Sequence, residues 1–449
     1  MKIQEGILRK ILYVYLLVSP LVDMLTSLAV RAGMTGFTMG VLARAAFVAA
    51  MVFYVLFLYK GQHKGKLRVA VILTSLYGVL YLANTVAVNG LGVLMENAKM
   101  FLKVYYFVYV LLGLYALYEE HRILVSDKML TIVFCIYSTS IFLAAITGTS
   151  FPTYELLDIG YCGWFYAGNE IGAIVAILSG ITLLYGFTHP KYFWIPILGL
   201  VAFSSTYIGT KVPFLAIIVI AVVLFLFWLI KQLVRKPEEA KKKIVKYGAL
   251  LLCIAVLYSI GSPIQQNAGV AQDRFDNIVE STPPTEPDNG EENTNEDQFM
   301  AVTDWLLSGR LSSIQNVVKR YAQGSWMDKL FGIGYNFKVD GKWNSDVVEM
   351  DLIAICLKHG VVGLAVFMAP LIYFAVICII RLFKALRKFW ELEAAFTYTY
   401  AILIGLGCAL VAGHVLVAPA VSIYIAICTV KLYACLTNFE EMRKTEKAV

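Results

Sequence analysis

The sequence predicts an all-α polytopic membrane protein, with about twelve transmembrane helices and one large outer loop between helices nine and ten. Composition is the first observation: 59% of the 449 residues are hydrophobic and 15% charged, whereas soluble domains are about half apolar and a quarter charged. The second is that apolar runs of about 20 residues recur, the length that crosses a bilayer core of about 30 Å. The third is a single long polar passage.

The apolar runs divide the chain into three parts. Residues 1–264 hold helices one to nine, 265–349 form a large extracytoplasmic loop, and 350–449 hold helices ten to twelve and a short tail. The predicted spans are 11–31, 38–59, 69–88, 98–118, 129–147, 168–187, 192–208, 212–230, 247–264, 352–380, 395–414 and 418–437.

Basic residues predict the orientation of these helices. Lys and Arg concentrate in the termini and in the connections after even-numbered helices, most densely from Lys231 to Lys246. Because cytoplasmic connections of membrane proteins are enriched in Lys and Arg, both termini are expected in the cytoplasm. The net charge of +7 is therefore a topology signal, and nucleic acid is excluded as a partner. Cys162 is the one cysteine in an outer loop, so no disulfide is expected.

The outer loop has two different halves. It carries 14 Asp and Glu against 7 Lys and Arg, the reverse of the cytoplasmic bias. Residues 281–298 are acidic, rich in Pro and nearly free of apolar side chains, which predicts disorder. Residues 308–335 are expected to be partly helical and to lie against the membrane, because apolar side chains recur there at helical spacing from Leu311 to Tyr321.

Charged residues inside predicted spans are functional candidates, because they are costly there without a partner or a wet cavity. Asp23 and Arg44 lie at matching depths of the first helical hairpin, and an ion pair that fixes the helix register is the simplest interpretation. Glu96, Lys99 and Lys103 share one helix face by their spacing, so this face is predicted to line a cavity. The cavity wall is expected to continue through Tyr105, Tyr106 and Tyr109.

Other candidates lie at predicted outer ends of helices. Lys211, beside Gly and Thr in a tight outer turn, could reach a phosphate, or its charge could simply extend into the membrane interface. His414 is weaker, because a lone His is more often structural. Cys356 and His359 rank lower.

These motifs together resemble the bacterial O-antigen ligase and polysaccharide polymerase superfamily over about the last two thirds of the chain. Members are integral-membrane glycosyltransferases that act on polyprenyl-diphosphate-linked glycans. The residues that carry the resemblance are Gly168-Asn169-Glu170-Ile171-Gly172, Gly209-Thr210-Lys211, Ser308-Gly309-Arg310, Gly332-Ile333-Gly334, and Glu349-Met350-Asp351 before Gly360-Val361-Val362-Gly363.

Two departures from the family pattern bear on the substrate. Lys211 stands where the family often has Arg, which keeps the charge but loses the planar fork that suits phosphate. Glu349 and Met350 stand where the ligase branch has His and Asn, which looks more like the polymerase branch. The resemblance therefore implies polymerisation of a capsule, O-antigen, exopolysaccharide or teichoic-type glycan at the outer face of the bacterial cytoplasmic membrane.

The implied chemistry assigns roles to these residues. Arg310 and Lys211, with Arg274 or Lys103 in reserve, would stabilise the diphosphate leaving group, and Glu349 or Asp351 would be the base for the acceptor hydroxyl. Lys99, Asn169 and His414 are further substrate-binding candidates. No metal-ligand cluster is evident, so a metal-independent enzyme without cofactor is expected.

The expected partners are the lipid-linked donor, a glycan acceptor, the lipid bilayer and other polysaccharide-assembly membrane proteins. Three alternatives remain open: ligase-type transfer to a different acceptor, a lipid-linked glycan transporter or flippase, and a non-catalytic scaffold. Transporters usually carry polar sites near the membrane centre and repeated halves, whereas these charges cluster toward one face.

Overall fold

In a computed structural model of the protein, the described residues are 2–34, 38–154, 158–189, 193–235, 238–270, 310–339, 342–345, 348–385 and 392–448. Within these ranges, side chains are described except at 2–4, 234–235, 238–239, 310–313, 337–339, 342–345 and 442–448. The disorder predicted for 281–298 falls outside the described residues, as does Arg274.

Helices account for most of the described chain. In order they are α1 (Lys2–Arg31), α2 (Met39–Phe53), α3 (Lys64–Asn89), α4 (Leu94–His121), α5 (Asp127–Ile146), α6 (Gly168–Thr188), α7 (Trp194–Tyr207), α8 (Lys211–Arg235), α9 (Glu238–Ser259), α10 (Pro263–Val270), α11 (Arg310–Gln323), α12 (Trp326–Phe331), α13 (Asp351–Ala385), α14 (Glu393–Val411) and α15 (Pro419–Ala448). A π-helical turn, Tyr54–Leu58, continues α2, and a 3₁₀ turn, Leu91–Val93, precedes α4.

Two antiparallel hairpins interrupt the helices. The first pairs β1 (Pro152–Tyr154) with β2 (Ile159–Tyr161), and Pro152 lies opposite Tyr161. The second pairs β3 (Asn336–Val339) with β4 (Lys342–Ser345), and Asn336 lies opposite Ser345.

The predicted all-α polytopic fold is confirmed. Within the described residues, ten helices are long and apolar enough to cross a membrane, and they correspond to ten of the twelve predicted spans. The other two differ. The seventh predicted span is the short helix α7, of 14 residues, and the ninth is α9 followed by α10 at a bend of 60°.

The helices α4, α6 and α15 form the centre of the bundle. In their most apolar stretches 78%, 83% and 83% of the residues are buried, against 22% in α1 and 28% in α2 and in α13. A helix surrounded by other helices is apolar on all sides, whereas the outer helices expose apolar side chains such as Phe57 and Val79, as contact with lipid requires.

The tyrosines of α4 belong to this centre. Tyr105, Tyr106 and Tyr109 are each at most 5% exposed, and their hydroxyls bond inside the bundle, to the Gly363 carbonyl, the Tyr15 hydroxyl and the Ser75 hydroxyl. The prediction that they form a cavity wall is wrong, because α4 is enclosed by neighbouring helices on nearly every side.

One end of the bundle, here called the hairpin end, carries both β-hairpins and the connections α1–α2, α3–α4, α7–α8 and α14–α15. Contacts join these connections to one another. The Arg31 guanidinium lies 3.8 Å from the centre of the Phe151 ring. The first hairpin packs against the α7–α8 turn, where the Thr153 hydroxyl donates to the Ile208 carbonyl at 2.8 Å.

The helix α13 is kinked at Gly360, and residues 332–334 of the large outer loop pack against this kink. Gly360 has φ of 70°, in the left-handed region that favours glycine. A Cβ there would lie 2.4 Å from the Leu330 carbonyl oxygen. The backbone N–H groups of Ile333 and Gly334 donate to the carbonyls of Leu357 and Lys358 at 3.2 and 3.1 Å. The two glycine motifs of the sequence therefore pack directly on each other.

Candidate active site

A cavity of about 330 Å³ opens at the hairpin end, enclosed by α1, α2, α4, α6 and the start of α15. Its volume falls in the range of small-ligand pockets. We call it the charged cavity because six Asp, Glu, Lys and Arg side chains line it: Asp23, Arg44, Glu96, Lys99, Lys103 and Glu170. The face of α4 that was predicted to line a cavity does so.

Asp23 and Arg44 form the ion pair that their matching depths predict. The second carboxylate oxygen of Asp23 accepts from the Tyr137 hydroxyl at 2.7 Å, so both oxygens of Asp23 are engaged. Arg44 bonds to no other described residue than Asp23, and a guanidinium has five N–H donors. The pair therefore leaves cationic donors available in the cavity.

The other four charged residues of the cavity are one ion pair and two side chains outside any ion pair. The Lys99 ammonium lies 2.7 Å from the Glu96 carboxylate. Lys103 and Glu170, by contrast, form no hydrogen bond or ion pair with any residue that the structure describes. Glu170 is close enough to Arg44 to interact with it electrostatically. The cavity thus presents one cation, Lys103, and one carboxylate, Glu170, that form no hydrogen bond or ion pair with the described residues.

Asn97 holds residues 332–335 of the large outer loop near the rim of this cavity. Its side chain is fully buried, and Oδ1 accepts from the Tyr335 backbone N–H and the Tyr81 hydroxyl, both at 3.0 Å. From α3, the Asn84 amide donates to the Gly332 carbonyl at 3.3 Å. The segment Gly332–Tyr335 is therefore held beside the residues next to Asn97 that line the cavity.

Asp351 holds the start of α13 against the α14–α15 connection. Its side chain is 0% exposed. The backbone N–H groups of His414, Val415 and Leu416 donate to its two oxygens at 2.7, 2.9 and 2.6 Å. Three amide donors satisfy both oxygens, so this carboxylate is already fully used in joining helices.

Glu349 lies just before α13 and is partly exposed. Its backbone carbonyl packs against Gly413, where an added Cβ would lie only 1.2 Å from the carbonyl oxygen. Gly413 has φ of 69°, and the next residue, His414, has φ of 59°, which is uncommon for a residue with a side chain. Glu349 and His414 are thus brought to one place at the hairpin end, while Asp351 lies beneath them.

Lys211 is the first residue of α8, beside the start of α6. Its side chain is exposed. The preceding residue, Thr210, lies against Gly172, since a Cβ on Gly172 would be 2.8 Å from the Thr210 hydroxyl oxygen. Glu170 is two residues before Gly172, so Lys211 and Glu170 begin neighbouring helices. Asn169 is half-buried at the start of α6 but does not line the charged cavity.

Two other predicted residues, Arg310 and His359, do not line the cavity as far as the structure describes them. Arg310 begins α11, but its side chain is among those not described. His359 is fully buried, with its ring centre 4.5 Å from that of Tyr81 and its Nε2 3.3 Å from the Tyr335 hydroxyl. Burial, with a smaller contribution from Asp351, raises the pKa of Tyr335, so this hydroxyl stays neutral and can only donate or accept hydrogen bonds.

Sequence reasoning missed Asn97 and passed over Glu170 as part of a motif. Asn97 accepts a hydrogen bond from the backbone of Tyr335, which is 238 residues away along the chain. No local sequence pattern marks such a pair. Glu170 was detectable, since it is an acidic residue in the first turn of an apolar helix. Among the described residues, no group of three His, Cys, Asp or Glu side chains could hold a metal ion.

Comparison with protein families gives a match over nearly the whole chain. A family model described as O-antigen ligase like membrane protein matches residues 5–439. No curated protein matches the chain. The match includes the first two helices, and hence every helix that lines the charged cavity.

Proposed function

The chain belongs to the O-antigen ligase-like family of membrane proteins, and on that premise we propose that it polymerises glycan units carried on polyprenyl diphosphate. The family takes part in membrane glycan assembly and transfer. The observation that carries the finer proposal is the charged cavity, where Lys103 and Glu170 have no hydrogen-bond or ion-pair partner among the described residues. We place this cavity at the outer face of the bacterial cytoplasmic membrane, because the basic connections lie at the opposite end.

The reaction is a displacement at the anomeric carbon of the donor sugar. The acceptor hydroxyl oxygen bonds to this carbon, and the bond from the carbon to the diphosphate oxygen breaks. The diphosphate leaves with the electron pair, and the hydroxyl proton passes to a carboxylate. The products are an elongated glycan, polyprenyl diphosphate and a protonated carboxyl group.

Cationic side chains stabilise the leaving diphosphate. Preorganised charges aimed at a developing anion are often the largest contribution to catalysis. Lys103 and Arg44 supply such charges within the cavity. Lys211 at the start of α8 and Arg310 at the start of α11 are the additional cations that the family motifs favour.

We assign the base to Glu349 and make Glu170 the second candidate. Glu349 is partly exposed and is the last residue of the large outer loop, where an acceptor can enter. Asp351 is a poor candidate because three backbone amides occupy its oxygens. Glu349 and Met350 in place of the ligase His and Asn favour a growing glycan as the acceptor.

Reconstituted protein given a lipid-linked repeat unit tests this function. Wild-type protein is expected to produce a ladder of glycan lengths. Lys103→Gln should lower kcat/KM by about 10²–10³, the cost of losing one charge-stabilising donor. Lys128→Gln is the matched control, an exposed lysine at the opposite end of the bundle, and it should elongate normally. Movement of the donor across the bilayer without a new glycosidic bond would instead identify a transporter.

A further inference from the structure

A second cavity of about 470 Å³ runs along α1 next to the charged cavity. We call it the α1 groove. Asp23 and Arg44 line both cavities, so this ion pair borders both spaces. Away from the pair, the α1 groove is mainly apolar and ends at Lys10; the apolar residues that line it are Ile11, Val14, Val18, Val22 and Ala43.

The α1 groove has the length and the lateral opening that a hydrocarbon chain requires. From Lys10 to Asp23 the helix rises about 20 Å at 1.5 Å per residue, roughly two thirds of a bilayer core of about 30 Å. Its rim is exposed: Ile11 is 54%, Val14 59% and Val18 43% accessible. A lipid chain could therefore enter sideways from the membrane.

The residues around the shared Asp23–Arg44 pair favour an anionic headgroup. Both oxygens of Asp23 are engaged, by Arg44 and Tyr137. Arg44 retains donors beyond its bond to Asp23, and Lys103 has no hydrogen-bond or ion-pair partner among the described residues. Cationic donors thus remain available where an apolar groove lies next to a polar cavity, which suits an amphiphile with a hydrocarbon chain and a phosphate head.

We propose that the α1 groove holds the polyisoprenoid chain of the lipid-linked glycan donor, with its diphosphate at Arg44 and Lys103. The identity of this lipid rests on the proposed function. We choose the donor over a bulk phospholipid because the groove and the charged cavity, where we propose that the sugar is transferred, share the Asp23–Arg44 pair.

Photolabelling tests occupancy of the α1 groove without requiring turnover. Full-length protein in nanodiscs of phosphatidylglycerol and phosphatidylcholine is irradiated with polyprenyl diphosphate carrying a diazirine on its chain. Adducts should map to α1 between Lys10 and Val22. Unlabelled polyprenyl diphosphate should compete for labelling and additional phosphatidylglycerol should not. Equal competition by both lipids would overturn the proposal, because it would mean that any membrane lipid fills the groove.

A groove-filling variant adds a second readout. Val18→Trp should reduce labelling and raise KM for a long-chain donor by about tenfold, the equivalent of about two buried methylene groups, while a short-chain donor is unaffected. Leu21→Trp is the control, since Leu21 is 49% exposed on the same helix but does not line the groove. The same effect in both variants would contradict the proposal. Labelling without any turnover in wild-type protein would instead contradict the proposed transferase function.

Discussion

Glu349 and Asp351 are two carboxylates separated by one residue, with opposite surroundings. Asp351 is fully buried with three amide donors, whereas Glu349 is partly exposed before the helix begins. A base must be accessible to an acceptor hydroxyl, and of the two side chains only that of Glu349 is partly exposed. This difference in exposure supports our proposal that Glu349 is the base, whereas the hydrogen bonds of Asp351 join helices.

Conservative substitutions at these two positions test that separation. Glu349→Gln should bind donor but lose chain elongation, because the shape remains while the base is gone. Asp351→Asn should cost about 1–3 kcal/mol of stability, since an amide NH₂ would face backbone N–H groups that then lack an acceptor. Donor binding, elongation and thermal unfolding are measured on both purified variants at one pH. Normal elongation by Glu349→Gln, with a folded but inactive Asp351→Asn, would reverse the two roles.

Arg310 offers a test of phosphate binding by a planar side chain. If its guanidinium holds the diphosphate through paired hydrogen bonds, Arg310→Lys keeps the charge but loses that geometry. The variant should insert normally and lose about 2–4 kcal/mol of transition-state stabilisation, measured as kcat/KM. Glu291→Gln in the same loop should be active and serves as the control. Near-normal activity of Arg310→Lys would remove Arg310 from the phosphate site.

Residue patterns predicted some contacts and could not predict others. Helical spacing was sufficient to predict that Glu96, Lys99 and Lys103 share a face that lines a cavity. Matching depth in adjacent helices was sufficient to predict the Asp23–Arg44 pair. Both predictions depend only on local geometry. The surroundings of Asn97 depend on a loop far along the chain. Sequence alone cannot show which segment packs against a buried amide.

At the scale of elements, apolar length predicted where helices lie better than where they break. Hydropathy counts apolar residues and does not register backbone geometry. The predicted ninth span breaks where Gly261, with φ of 82°, precedes Pro263. Pro has no N–H to continue a helix and disfavours helical geometry in the residue before it, which explains the bend of 60° between α9 and α10.

The contact between Gly413 and the Glu349 carbonyl gives a prediction about how elements assemble. Gly413→Ala places a Cβ 1.2 Å from that oxygen, at a φ of 69°. The chain before α13 must then move, and the bonds of Asp351 to the α14–α15 connection should weaken. We expect a loss exceeding the roughly 1–3 kcal/mol of left-handed strain alone, seen as a lower thermal midpoint of the purified protein.

Gly407→Ala is the matched control for that variant. Gly407 lies within α14, where an added Cβ meets nothing within 4 Å. Alanine is preferred over glycine inside a helix by about 1 kcal/mol, so this variant should be as stable as wild type or slightly more. Equal midpoints for the two variants would mean that the contact at Gly413 is dispensable.

For the whole molecule, helices from the first part of the chain and the start of the last helix line the same cavity. The motifs that carry the family resemblance fall in the last two thirds of the chain, but the charged cavity also requires α1, α2 and α4. The family match from residue 5 to 439 covers all of these helices. Motif order therefore predicted the class of protein, while the cavity required knowledge of how distant helices pack.

Orientation in the membrane is the prediction on which the outer-face chemistry depends. The basic connections, including Lys231 to Lys246, predict that the hairpin end lies outside. Single cysteines in a cysteine-free background can report this. Ala240 on the basic connection is fully buried, so the exposed neighbour Lys241 is the better inner position, and Asn289 in the long loop is the outer one.

An impermeant maleimide applied to intact cells should label Asn289→Cys and spare Lys241→Cys, whereas inverted membrane vesicles should give the opposite result. Permeabilised cells, in which both positions should react, control for reagent access. The background variant must first retain glycan elongation, because four of the eight replaced cysteines are buried and their loss could disturb helix packing. Labelling of Lys241→Cys alone in intact cells would place the charged cavity on the cytoplasmic side, where the donor would have to be used before export.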